Sequence, residues 1–328
     1  MIQTVVEVGL PVGEDLRIVK NRILPVGEDR GRRLCLVTGT HGDELEGQLV
    51  CFEINRIIRE NPGCLHGTVD IYPAINPLGI DSITRGMPGF DMDLNRMFPG
   101  RDKSYLAEYV VSRIYKDIVG ADVAIDVHAS NIFLREIPQI RVNELTADEL
   151  VPLARLMNVD FVWVHAASTV LESTLAYSLN SAGTKTLVAE MGVGMRLTKE
   201  YCTQLCTGIL NVMRSLGMWD GPVGEVREPI VSTDHAVEYI NAERAGIFVQ
   251  SIEHWTDARE GDHLGDIVNP LTGDVLAEVR SPCDGIVFTL REYPVVDEGS
   301  LIARILKVRS WRRSVCSSSS PCTGTACA

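Results

Sequence analysis

Residues 34–47 read LCLVTGTHGDELEG and put an imidazole, His41, three positions before a carboxylate, Glu44. A tight turn or a first helical turn brings both to one side. The pair follows a short apolar run, Leu34 to Val37, which reads as a buried strand broken by Thr38, Gly39 and Thr40. Open α/β sheets place their chemistry at such C-terminal strand ends. A second strand end lies in 121–130, ADVAIDVHAS, where Val123, Ile125 and Val127 alternate with Ala124, Asp126 and His128. His41, Glu44 and His128 together offer three ligands and leave a fourth position for water. That is the catalytic zinc pattern, as opposed to a closed structural site. The same His and Glu also fit a surface pair or a charge at a helix N-terminus. The helical H-E-x-x-H motif is absent, so the set does not belong to that class of metalloprotease.

A third strand, 185–191 (KTLVAEM), carries Glu190 at its end, just before Gly192 and Gly194. A carboxylate there can take the proton of an activated water, or be an ordinary strand-end acid. Asp126 shares the strand face of His128; it can orient that imidazole or pair with a neighbouring cation. Segment 76–101 is rich in turn formers and supplies Arg85, Asn95 and Arg96. Asn95 with Arg96 suits a substrate carboxylate, because a guanidinium is a permanently charged planar fork. Arg85 suits the polarisation of a scissile carbonyl. Equally, these arginines can pair with Asp91 and Asp93 in solvent. Arg135, Arg141 and Glu172, on loops expected at 129–143 and 166–175, are further specificity candidates without a ranking.

Positioning these groups needs strands in register. Residues 1–33 read as a leading hairpin. Residues 45–59 put Leu49, Phe52, Ile54, Ile57 and Ile58 on one stripe and read as a helix ended by Pro62 and Gly63. A strand over 68–75 completes a βαβ unit with a right-handed crossover. Helices are expected at 104–119, 145–157, 170–182 and 198–216, and a strand at 160–165. From 228 to 308 short β-like runs alternate with turns, which reads as a small all-β module. The reading is a catalytic α/β domain over 1–220 and a β-rich capping domain over 221–310. A Gly- and Pro-containing link at 217–225 joins them. A Ser- and Cys-rich tail, 311–328, lacks the apolar content to fold alone.

The 328 residues are 45% hydrophobic and 23% charged, which allows a full core. A net charge of −13 argues against a nucleic-acid partner. No run approaches a membrane-spanning length of roughly 20 apolar residues. The N-terminus lacks a basic region followed by an apolar one, so a cytoplasmic location is the expectation. Of nine cysteines, six are scattered through the folded part and read as reduced, and three crowd the tail.

GTHGDE at 39–44, DLNRMFPG at 93–100, DVHAS at 126–130 and AEMG at 189–192 together closely resemble the succinylglutamate desuccinylase and aspartoacylase family, a branch of the zinc carboxypeptidase clan. The resemblance covers roughly 30–310. It implies a mostly parallel mixed sheet flanked by helices, followed by a C-terminal β domain. It implies one zinc per chain held by His41, Glu44 and His128, with Glu190 as general base and later acid. It implies Asn95 and Arg96 on the substrate carboxylate and Arg85 at the oxyanion. SPCDGIV and GSLIARI also resemble a biotinyl or lipoyl barrel. Lys307 is the only lysine after Lys199 and lies off any hairpin tip, so the module is read as a cap over the site. The expected activity is zinc-dependent hydrolysis of a small N-acyl amino acid or related amide. A metallocarboxypeptidase acting on short peptides is the alternative, and a non-catalytic zinc-binding scaffold a third. No nucleic-acid or membrane partner is expected, and the sequence leaves assembly into a homo-oligomer open.

Overall fold

Buried strands with both faces covered lose the polar side of their alternation, and the strand after Gly31 shows why. Leu34 and Leu36 point into one core, while Cys35 and Val37 point into the other. The computed structural model describes residues 1–89, 91–169 and 171–307. The elements in chain order are β1 (Ile2–Gly9), β2 (Asp15–Ile23), β3 (Arg33–Thr38), α1 (Glu46–Glu60), β4 (Thr68–Tyr72), α2 (Pro77–Ser82) and α3 (Leu106–Ile118). Then come β5 (Val123–Ala129), β6 (Leu134–Asn143), α4 (Ala147–Ala154), β7 (Phe161–His165), α5 (Leu175–Ser181), β8 (Lys185–Gly192) and α6 (Lys199–Ser215). The remainder is β9 (Ile230–Thr233), β10 (Val237–Asn241), β11 (Gly246–Gln250), β12 (Thr256–Ala258), β13 (His263–Asn269), β14 (Asp274–Arg280), β15 (Gly285–Arg291), β16 (Val295–Val296) and β17 (Leu301–Leu306). The expected tail, 311–328, lies outside the described residues.

Thirteen strands form one mixed sheet whose main path runs β1-β2-β4-β3-β5-β8-β6-β15-β17-β10. The centre, β4-β3-β5-β8, is parallel. Both flanks are antiparallel, so the sheet is less parallel overall than the reading above implied. Helices α1, α4 and α6 cover one face through Val50, Ile54, Leu150, Leu205 and Ile209. Helices α3 and α5 cover the other through Val110, Ile114, Leu175 and Leu179. Each such fully buried side chain contributes about 1.5–3 kcal/mol.

Two expectations change. Residues 134–143 are a central strand, β6, not part of a loop. Pro138 hides it, since proline removes a ladder donor and argues against a central strand. The structure accommodates it at an irregularity, where the β6–β8 register shifts between Glu136 and Gln139. The strands after 220 are also not all a separate sheet. A four-stranded sheet, β14-β13-β11-β16, stands apart, but β15 pairs with β6 and β9 with β7. A small core of Ile137, Phe161, Trp163, Val237, Phe288 and Leu306 seals that junction, with the Trp163 and Phe288 rings edge to face at 5.5 Å.

His254 ties this region to β15 by donating Nε2–H to the Phe288 carbonyl at 3.0 Å. Burial pushes its pKa down to about 4. Burial and the nearby Arg141 charge do the same to His165, also to about 4. The unfolded chain therefore takes up these protons first, near pH 6.5. Their stabilisation is complete above that value and is lost as pH falls towards 4, on the order of 2–3 kcal/mol per group. Denaturant midpoints measured from pH 7 to 4 should fall in wild type and fall less in His254→Gln. Equal slopes would show that His254 does not stay neutral in the fold.

Candidate active site

The turn after β3 is built from backbone contact. Gly39 adopts φ +65°, and a Cβ there would lie 2.9 Å from the Ala74 Cα. A Cβ on Gly42 would lie 1.9 Å from the carbonyl carbon of Gly79 in α2. Gly42 donates its N–H to the Thr84 carbonyl at 3.0 Å. Only glycine allows this approach, and it fixes His41 and Glu44 on either side of the turn.

Glu44 is buried and surrounded by donors. Its Oε2 accepts the Ala129 N–H at 3.1 Å and lies 3.0 Å from His128 Nδ1. Its Oε1 lies 2.7 Å from His41 Nδ1 and accepts from Arg85 Nη1 at 2.9 Å. Burial alone would raise its pKa; the two imidazoles overcome this and hold the carboxyl well below the usual range. Burial would likewise lower both histidines, but their carboxylate neighbours win. His41 is raised by Asp93 and Glu44, and His128 well raised by Asp126 and Glu44. Asp126 Oδ2 lies 3.1 Å from His128 Nε2, as its strand face suggested.

The donor set fits a divalent cation. One ligand atom from each of His41, Glu44 and His128 lies within 4.8 Å of the others. Donors on a tetrahedral zinc with bonds of about 2.0–2.1 Å sit about 3.3 Å apart. The observed nitrogen-to-oxygen separations of 2.7 and 3.0 Å need only a few tenths of an ångström of relaxation. Protons drawn onto two imidazoles by a buried carboxylate are those a cation would displace.

Register does the rest. β5 and β8 pair in parallel with His128 opposite Glu190. Burial raises the Glu190 pKa against the pull of Arg141, whose Nη1 lies 3.2 Å from it. Arg141 also donates from Nη2 to Glu136 at 2.8 Å, and Arg304 of β17 contacts the other Glu136 oxygen. One cavity of about 440 Å³ is lined by His41, Glu44, Arg85, Asn95, Arg96, His128 and Glu190. All the site residues read from the sequence meet there. Arg85 is engaged by Glu44 and, at 3.4 Å, by Asp93, one of its two foreseen acidic partners. Asn95 Oδ1 accepts the Leu175 N–H at 2.9 Å, and Arg96 is exposed, donating to the Asn95 carbonyl.

Among the unranked candidates, Arg141 lines the cavity. Arg135 pairs with Glu292 at 3.2 Å, and Glu172 is exposed on a turn. Sequence reasoning missed Asp93 as a site residue. It contacts His41 Nε2 at 3.0 Å and accepts the Asn95 N–H at 2.9 Å; its place in an Asp-x-Asn turn was the available signal. Glu136 and Arg304 were missed too, and no sequence signal marks Arg304.

Residues 30–216 match the model of the succinylglutamate desuccinylase/aspartoacylase catalytic domain. The chain belongs to the succinylglutamate desuccinylase/aspartoacylase family. Its members are deacylases, hydrolytic enzymes that act on amides. The family fold recurs in solved structures. A succinylglutamate desuccinylase from Silicibacter sp. TM1040 shares 20% identity at TM-score 0.80, covering 93% of this chain and 95% of that one. The product-bound ectoine utilization protein EutE (DoeB) from Ruegeria pomeroyi shares 20% identity at TM-score 0.79, covering 92% and 93%. A succinylglutamate desuccinylase/aspartoacylase from Rhodobacter sphaeroides shares 23% identity at TM-score 0.77, covering 93% and 95%. Comparison with curated proteins gives no match. Among the described residues no helix is long and apolar enough to cross a membrane.

Proposed function

We propose that this family member is a zinc-dependent amidohydrolase that cleaves an N-acyl amino acid or a related small amide. The observation that carries the reading is the His41–Glu44–His128 donor set sharing one cavity with Glu190. When bound by those three side chains, zinc acidifies water and polarises an acyl oxygen. Glu190 accepts the proton at its carboxylate; a raised pKa suits that exchange, because a base near the working pH both takes and returns a proton. Asn95 and the exposed Arg96 hold the substrate carboxylate at the cavity mouth. Arg85, freed from Glu44 when that carboxylate is engaged, donates to the acyl oxygen as negative charge develops. The water oxygen adds to the acyl carbon, the C–N bond breaks, and Glu190 passes its proton to the leaving nitrogen, so that a carboxylate and a free amine result. Asp126 and Asp93 set the orientation of the two imidazoles, a role in which outer carboxylates commonly tune ligands.

The six described cysteines are free thiols, which supports a reducing, cytoplasmic setting. The deciding experiment is elemental analysis of purified wild type beside His128→Ala. About one zinc per chain in wild type and a content well below one in the variant, which lacks one of three ligands, are expected. Hydrolysis of N-acyl amino acids should follow the metal. Folded wild-type protein that takes up no zinc would end the proposal.

A further inference from the structure

A second cavity, of about 740 Å³, adjoins the first. Arg141, Leu171, Thr174, Ala176 and Val188 line both, so the two abut along these residues. Most of its exposed wall is apolar, from Val142, Leu145 and Leu150 with the shared Leu171, Ala176 and Val188, and the uncharged polar Asn143, Thr146, Asn180, Ser181 and Thr186 also line it. Leu145 and Leu171 are 69% and 51% exposed at its edge and offer apolar surface to a bound group.

Its charges are already spent. Arg141, its one described guanidinium, is paired with Glu136 and Glu190 and lies 5.7 Å over the Trp163 ring. Burial keeps His165 neutral at physiological pH. Asp234 remains an anion, but its oxygens accept the Trp163 Nε1–H and the Ala166 N–H, both at 2.8 Å. Tyr239 lies under the Arg304 guanidinium. An anionic limb would meet Asp234 and no free cation here. An uncharged apolar limb would cover the leucines and displace water.

We propose that the substrate carries an uncharged, bulky apolar substituent that occupies this second chamber, while its carboxylate stays in the first. This rests on the hydrolytic reading for the identity of the first cavity. Two limbs of an N-acyl amino acid could supply the apolar group, the acyl chain or the amino-acid side chain.

The test measures binding separately from turnover. Keto analogues, with a methylene replacing the amide nitrogen, of N-octanoylalanine, N-acetylphenylalanine, N-acetylalanine and N-acetylaspartate are titrated calorimetrically into the zinc-loaded protein. The corresponding amides are assayed for kcat/KM. At least one apolar analogue should bind tenfold or more tighter than the N-acetylalanine analogue, as burial of added methylenes requires. Octanoyl preference assigns the acyl limb, and phenylalanine preference the side-chain limb. Leu145→Asp and Ser181→Trp alter exposed positions that line only the second chamber. Both should erase the preference while N-acetylalanine is processed as before. Tight apolar binding lost in these variants, with no amide cleaved, would uphold the chamber and sink the hydrolytic reading. Turnover with equal affinity for all four analogues, or a preference for the aspartate compound, would overturn the chamber and leave hydrolysis standing.

Discussion

Glu190→Gln should lower kcat by about 10²–10⁴-fold, the usual weight of a positioned acid–base group. Zinc content should stay at its wild-type level. The two outcomes separate because Glu190 is on β8, a strand away from the nearest proposed ligand, His128, and touches Arg141 rather than a ligand. Glutamine keeps the size and can still accept from Arg141 Nη1, but it cannot carry a proton from water to a leaving amine. Loss of turnover with metal retained would locate the defect in proton transfer. A kcat within a few-fold of wild type would remove Glu190 from the mechanism.

Glu136→Ala should destabilise the protein by about 3 kcal/mol, at the lower end of what breaking a buried ion pair costs. Glu136 is 1% exposed and accepts from Gln139, Arg141 and Arg304. Alanine leaves two guanidiniums facing one another without their shared anion. The cost is held down because Arg141 keeps Glu190 and both arginines retain some contact with water. Denaturant unfolding measures it directly, and Glu136→Gln should recover part of the loss by accepting one of the hydrogen bonds. An unchanged midpoint in Glu136→Ala would mean that the arginines are solvated and the network contributes nothing.

The metal-site candidates were legible because buried parallel strands leave plain marks: apolar runs that stop at a glycine or a polar residue. Leu34 to Val37 and the alternation ending at His128 both say where a strand stops, and in this topology the strand end is the site. Helices α1 and α6 were legible from their apolar stripes for the same reason. What stayed hidden has a physical cause in each case. β6 contains Pro138, whose missing donor argues against a central strand until the local register shift is seen. Arg304 approaches Glu136 only because β17 joins β15 and β15 joins β6. That pairing links residues more than 150 positions apart and leaves no periodic trace. Asp93 was visible as a charge, but whether it faces solvent or His41 depends on how segment 76–101 folds back over the turn after β3.

The ladder β8-β6-β15-β17 also limits how the molecule moves. Strands on both sides of residue 220 share backbone hydrogen bonds, so no linker separates two bodies that could swing apart. Opening the mouth like a clamshell would require tearing a sheet. Entry and exit of a substrate must instead come from side chains at the rim, such as Arg85, Asn95, Arg96, Leu171 and Thr174. Turnover limited by product release would then answer to substitutions at those positions and be indifferent to the link at 217–225.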